Sequence, residues 1–176
     1  SEAPSYPAER PLDDDAHLTR LQGRAPAQGE WLDIAGVVLD TRERVIDGAE
    51  IEIWQCDVHG SYRHPRGAGS QVDAGFQGFG ATTSDARGAY RFRTIRPVPY
   101  SGRAPHIHLK LRHASFGEIT SQWFVTGDPG NERDFIFRQL SATQRAQVML
   151  ALHRTGAEPA RPALVWQARR EIVVPA

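Results

Sequence analysis

His106-Ile107-His108 is the part of this chain best suited to chemistry. The stretch from His106 to Leu111 alternates polar and apolar residues, which predicts a β-strand. Side chains two apart on a strand share a face. The two imidazoles therefore project side by side, as two ligands of one metal ion need. Tyr100 and Arg103 lie within six residues upstream, in a segment stiffened by Pro97, Pro99 and Pro105. A phenol on so stiff a surface turn has little packing reason to be there.

The identity of such a metal turns on the other donors. Zinc hydrolases use three histidines, or two with a carboxylate. Ferrous oxygenases use two histidines and a carboxylate. No Asp or Glu follows these histidines at H-x-D or H-x-H-x-E spacing, and the nearest oxygen donors are phenols. A phenolate is a hard anion and favours Fe(III) over Fe(II). With a pKa of about 10 in water, it stays deprotonated near neutral pH only beside a strong Lewis acid. On residue types alone two other readings stay open. One is a zinc or copper site, in a hydrolase or oxidase, completed by His59 or His64. The other is a non-catalytic β-sandwich binding module.

The elements that must position these residues are short strands. Trp31–Leu39, Ala49–Cys56, Gly78–Thr83, Ala89–Thr94, His106–His113 and Ile119–Val125 read as strands separated by Gly- and Asp-containing turns. A last strand is predicted over Leu164–Val174. In Ala49–Cys56, Ile51 and Ile53 fall on one face, Glu52 and Trp54 on the other. The pattern predicts an all-β fold, an antiparallel β-sandwich with short flanking helices. Ser141-Ala142-Thr143-Gln144 has the form of a capping box, opening a helix whose stop is expected at Gly156. Asp15 could cap a shorter helix through His17, Leu18 and Leu21. The long loop from Asp57 to Gly78 is a candidate functional loop.

The organisation expected is an N-terminal arm over residues 1–28 and one catalytic sandwich over residues 29–176. Lys plus Arg equals Asp plus Glu, 21 each, so no charge imbalance favours nucleic acid or a membrane surface. A single cysteine, Cys56, precludes an internal disulfide and reads as a small buried hydrophobe. No apolar run approaches the roughly 20 residues of a transmembrane helix. The expected location is the cytoplasm, with removal of a leader before Ser1 left open. Sheet edges and the arm would allow a homo-oligomer.

Four ordered segments carry a resemblance to a known family. Trp54-Gln55-Cys56-Asp57-Val58-His59-Gly60-Ser61-Tyr62-Arg63-His64 resembles the W-Q-x-D-x-x-G-x-Y-x-H segment of the intradiol ring-cleavage dioxygenases, such as the catechol 1,2- and protocatechuate 3,4-dioxygenases. Thr94–His108 is similar to their T-I-x-P-x-P-Y…R-P-x-H-I-H segment. Thr120-Ser121-Gln122-Trp123-Phe124 resembles the strand that carries a glutamine beside the metal, and Gly36–Trp54 matches the approach to the first motif. The resemblance implies a non-haem Fe(III) centre held by Tyr62, Tyr100, His106 and His108, with a hydroxide as fifth ligand. Tyr100 and His108 would be axial, Tyr62 and His106 equatorial. Arg103 and Gln122 would stand beside the substrate ring, Arg103 stabilising developing charge and Tyr100 taking a substrate proton. The implied partners are a small catecholic substrate and O2, the implied product a cis,cis-muconate. His59 and His64 then read as loop or pocket residues, His17, His113 and His153 as ordinary, and Trp54 and Trp123 as core.

The chain departs from that family in three places. Its first 28 residues cannot supply the large helical segment that catechol 1,2-dioxygenases use to dimerise. Only Ser101–Pro105 separate the second tyrosine from the histidine pair, and Gly102 stands where protocatechuate enzymes often carry tryptophan. No residue is assignable to a ring carboxylate.

Overall fold

The computed structural model describes residues 6–7, 15–62, 71–156 and 163–175. His64 and the Asp13-Asp14 part of the acidic cluster lie outside the described residues.

Among the described residues ten strands make two sheets: β1 Trp31–Asp40, β2 Glu50–Trp54, β3 Phe79–Thr83, β4 Ala89–Ile95, β5 His106–His113, β6 Gly117–Val125, β7 Met149–Leu150, β8 His153–Arg154, β9 Leu164–Arg169 and β10 Ile172–Val174. In the first sheet β1 is central, flanked by β4 on one side and by β9 and β10 in succession on the other. The second sheet runs β3-β2-β5-β6-β7. The β-sandwich is therefore borne out. Its ladders are mixed, because β9 and β10 run parallel to β1 and β7 runs parallel to β6.

Period-two patterning explains how the layers meet. Ile34 and Val38 of β1 and Phe92 of β4 face Ile51, Ile53, Ile107, Leu109 and Leu111 of the second sheet in one buried cluster. Tyr90 and Trp123 stack across it, with centroids 6.3 Å apart. Full burial of each large aliphatic side chain is worth about 1.5–3 kcal/mol. These inner faces hold the sheets together and leave the outer face of β5 for other work.

The edges differ from expectation for local reasons. Asp15 does accept from the His17 N–H, but no helix follows. Instead Leu18 N–H donates to Arg93, Gln77 N–H to Leu18 and Ala81 N–H to Asp15, so this segment laces β4 to the β3 region with Leu18 fully buried. The capping box forms, but helix α2 spans only Ala142–Val148. Met149 turns extended (φ −88°, ψ 132°) because it pairs with Phe124 of β6, and this ends the helix well before Gly156. The expected strand Leu164–Val174 is split into β9 and β10 around Arg170, whose carbonyl accepts from the Tyr90 hydroxyl. A one-turn helix α1, Phe135–Arg138, follows a 3-10 turn at Asn131–Arg133.

Candidate metal centre

Strand β5 presents His106, His108, Lys110 and Arg112 on the face opposite its core residues. His106 and His108 are only 3% and 2% exposed. The Nδ1–H of His106 donates to the Ala104 carbonyl at 2.7 Å, since a carbonyl can only accept. That tautomer leaves a lone pair on Nε2, which points at the Nε2 of His108, 3.2 Å away. The His108 ring stacks on Trp54, centroids 5.1 Å apart and planes 4° from parallel, and its buried Nδ1 has no hydrogen-bond partner among the described residues. Burial pushes His106 down to about 4 and His108 to about 3, so both imidazoles are neutral at pH 7. Two neutral, buried imidazoles with adjoining Nε2 atoms suit a shared cation better than they suit each other.

Tyr62 reaches this pair directly, and Tyr100 adjoins it through Tyr62. Tyr62 is buried, with its hydroxyl 3.5 Å from His106 Nε2 and its ring 6.1 Å from that of His108. Tyr100 packs edge-on against Tyr62 at 5.3 Å between centroids and is half-buried. The structure thus brings Tyr62, Tyr100, His106 and His108 together from three segments. Among the described residues no group of three or more His, Cys, Asp or Glu converges. His59 is exposed on its loop and does not complete such a group. Cys56 is buried as expected, its thiol pushed up to about 12 by burial.

Hydrogen bonds among the motif residues explain the convergence. As the chain leaves β2, buried Gln55 donates to the Ile95 carbonyl and accepts from the Thr94 hydroxyl at 2.6 Å. The approach to Tyr62 is thereby tied to the approach to Tyr100. Asp57 then accepts from the N–H groups of His59, Ser61 and Asp73, closing a turn that aims Tyr62 inward. Gly60 stands in that turn at φ +79°, a conformation that costs a glycine little. A Cβ there would also press on the Tyr100 ring, at 3.3 Å.

The short connection after Tyr100 is a two-residue hairpin turn. Tyr100 and Arg103 exchange backbone hydrogen bonds of 2.8 and 3.3 Å, and Ser101 and Gly102 both have positive φ, 47° and 79°. Two left-handed residues in succession define the type I′ form, which favours glycine at the second position. The turn sets Arg103 directly across from Tyr100. The Arg103 Nε–H donates to Asp134 Oδ2 at 2.8 Å and its Nη2–H to Gln122 Oε1 at 2.6 Å. Gln122 stands opposite His108 in the β5–β6 ladder, so both expected ring-side residues adjoin the histidine face. Sequence reasoning missed Asp134. Burial disfavours its charge, yet Arg103 and the N–H groups of Ala104 and Phe137 hold its carboxyl below the usual range. Its one sequence signal is an Asp before Phe135, the form of a helix N-cap.

A cavity of about 270 Å³ opens beside His108 and Gln122, walled by Phe124, Ile136, Leu140 and Val148. Among the described residues no Lys or Arg lines it.

Comparison with known proteins shows relatives of the whole fold. A family model described as a dioxygenase (Dioxygenase_C) matches residues 1–169. The beta chain of protocatechuate 3,4-dioxygenase from Burkholderia cepacia is 34% identical over 147 residues, covering 77% of this chain and 62% of that protein. Hydroxyquinol 1,2-dioxygenase from Corynebacterium glutamicum is 32% identical over 136 residues, covering 66% and 44%. The chain thus spans between 44% and 62% of the length of these relatives. Among solved structures, the dioxygenase domain of a dioxygenase carbohydrate-binding protein fusion from Streptomyces sp. SirexAA-E has the same fold. It superposes with a TM-score of 0.73 at 20% identity, covering 99% of this chain and 96% of that one. Catechol 1,2-dioxygenase from Pseudomonas arvilla superposes with a TM-score of 0.72 at 18% identity, covering 97% and 59%.

Proposed function

This chain belongs to the intradiol ring-cleavage dioxygenase family, and from that premise we propose that it is a non-haem Fe(III) enzyme. It opens a catechol-type ring between the two hydroxyl-bearing carbons with O2, giving a cis,cis-muconate-type acid. The observation that carries this reading is the cluster in which His108 adjoins His106, His106 adjoins Tyr62, and Tyr100 packs on Tyr62. These four residues would hold the iron. Their chemistry fits it: two neutral imidazoles with adjoining Nε2 atoms, two hard oxygen donors, and no third His, Cys, Asp or Glu with them among the described residues. Such an ion, kept ferric by two phenolates, would supply a Lewis acid for both catechol oxygens and leave the ring electron-rich enough for O2.

The remaining work falls to the chain's own groups. Tyr62 is buried and fixed, whereas Tyr100 is half-buried on a two-residue turn. Tyr100 is therefore the phenol able to turn aside with a proton from the substrate on its hydroxyl oxygen. Arg103, held by Asp134 and Gln122, offers a preorganised cation to the charge that develops on the ring. The cavity beside Gln122 offers the ring the apolar side chains of Phe124, Ile136, Leu140 and Val148.

Residues 1–28 serve in this reading as an arm on a single catalytic domain, and self-association would occur through sheet edges. No described helix is long and apolar enough to cross a membrane. The test is oxygen uptake by iron-loaded protein with a panel of catechols under 18O2, with mass analysis of the product. Ring-opened acid bearing two labelled oxygens is expected. No uptake with any catechol, or cleavage outside the diol, contradicts the reading.

A further inference from the structure

We propose that Asp134 is the positioning residue of this site. Its carboxylate sets the Arg103 guanidinium and ties it to the helix that walls the cavity. The inference rests on the function proposed above.

Arg103 leaves a tight turn on a long side chain with much rotamer freedom to lose. Its Nε and Nη2 edge is occupied by Asp134 and Gln122, and Nη1 has no partner among the described residues. The guanidinium is therefore fixed in plane with one end of its fork still available.

Asp134 is fully buried and accepts four hydrogen bonds. Oδ2 takes the Arg103 Nε–H and the Ala104 N–H, both at 2.8 Å. Oδ1 takes the Ile136 and Phe137 N–H groups at 3.0 and 3.1 Å, capping α1. Ile136 lines the cavity, and the Ala104 carbonyl is the acceptor for His106 Nδ1–H. One side chain thus links the cation, the cavity wall and the backbone that orients a proposed iron ligand. A neutral cap would serve the helix equally well, since Asn and Ser are good N-caps. Only a carboxylate can cap the helix and also accept from both Arg103 and Ala104.

Asp134→Asn separates these roles. It keeps a capping oxygen but turns an amide N–H2 toward two N–H donors. It should retain iron and colour, leave KM for catechol little changed and lower kcat by about 10- to 100-fold, as misplacement of a catalytic group does. In an Arg103→Ala background the same change should alter kcat by less than about twofold, because the guanidinium it positions is gone. Asp134→Ser is read the same way should the amide destabilise the fold. Independently of turnover, the 15N-labelled full chain without added metal should show an exchange-protected Arg103 Nε–H signal that Asp134→Asn abolishes. Losses that multiply with Arg103→Ala, loss of iron from Asp134→Asn, or an unprotected Arg103 signal in the wild type would each overturn the proposal. A wild type inert toward every catechol overturns the functional reading and the positioning role with it. An active wild type matched by Asp134→Asn overturns the positioning role alone.

Discussion

The two faces of strand β5 are both buried, yet they carry opposite chemistry. Ile107, Leu109 and Leu111 lie in the core between the sheets, at most 3% exposed. His106, His108 and Lys110 on the other face are no more than 4% exposed. Burial stabilises the first set by removing apolar surface from water. On the second it works against charge, which leaves the two imidazoles neutral and able to ligate. The difference teaches that the sandwich is held from within, while the proposed site lies outside, beside Trp54, the Tyr62 loop and the α1–α2 segment. Changes on the inner face should therefore alter stability and leave chemistry per folded molecule intact. Changes on the outer face should do the reverse.

The sharpest break of this contrast is His108→Ala. It should lower iron affinity by more than the roughly 100-fold that loss of a mere supporting partner costs, measured by iron content after dialysis. Full occupancy would remove His108 from the ligand set. Arg103→Ala should keep iron and colour while lowering kcat by about 10²–10³-fold, as expected for loss of a preorganised donor. Asp134 would keep three N–H donors, so its charge stays hydrogen-bonded. Loss of metal from this variant would mark Arg103 as structural instead. On the inner face, Leu109→Ala should cost about 2–5 kcal/mol in denaturant unfolding, with iron per folded chain unchanged. A variant of normal stability that lost its iron would erase the distinction between the faces.

The smallest effect is acid sensitivity of the metal-free chain. Both folded histidines sit below the ordinary 6.5, at about 4 and about 3. The unfolded chain therefore takes up protons first as pH falls, and stability drops. Each histidine should contribute up to about 1.4 kcal/mol per pH unit between pH 6.5 and its folded value. Above pH 6.5 this contribution is flat. Bound metal should suppress the dependence, and unfolding curves at several pH values with and without iron check it.

Much of this contrast was legible in the sequence, because a strand's period of two needs no tertiary knowledge. The His106–His113 strand has the bounds expected, and the two tyrosines lie in segments whose motif residues hydrogen-bond to one another through Gln55 and Thr94. Less visible was what covers the outer face. Asp134 meets Arg103 across 31 residues of chain, and no local pattern specifies that contact. The helix beginning after Ser141 was legible at its start, where the capping box is local. Its end was not, since Met149 is drawn into β7 by Phe124 of another strand. The gap after Tyr100 read as a shortening relative to the family, whereas physically it is a turn that seats Arg103 across from Tyr100.

The central claim is that two phenols and two imidazoles share one ferric ion. Visible absorption of iron-loaded wild type, Tyr62→Phe and Tyr100→Phe tests it most directly. The account predicts a wine-red wild type with a phenolate-to-iron charge-transfer band that each single substitution shifts and weakens. A colourless iron-loaded wild type, or a band indifferent to both substitutions, would contradict it.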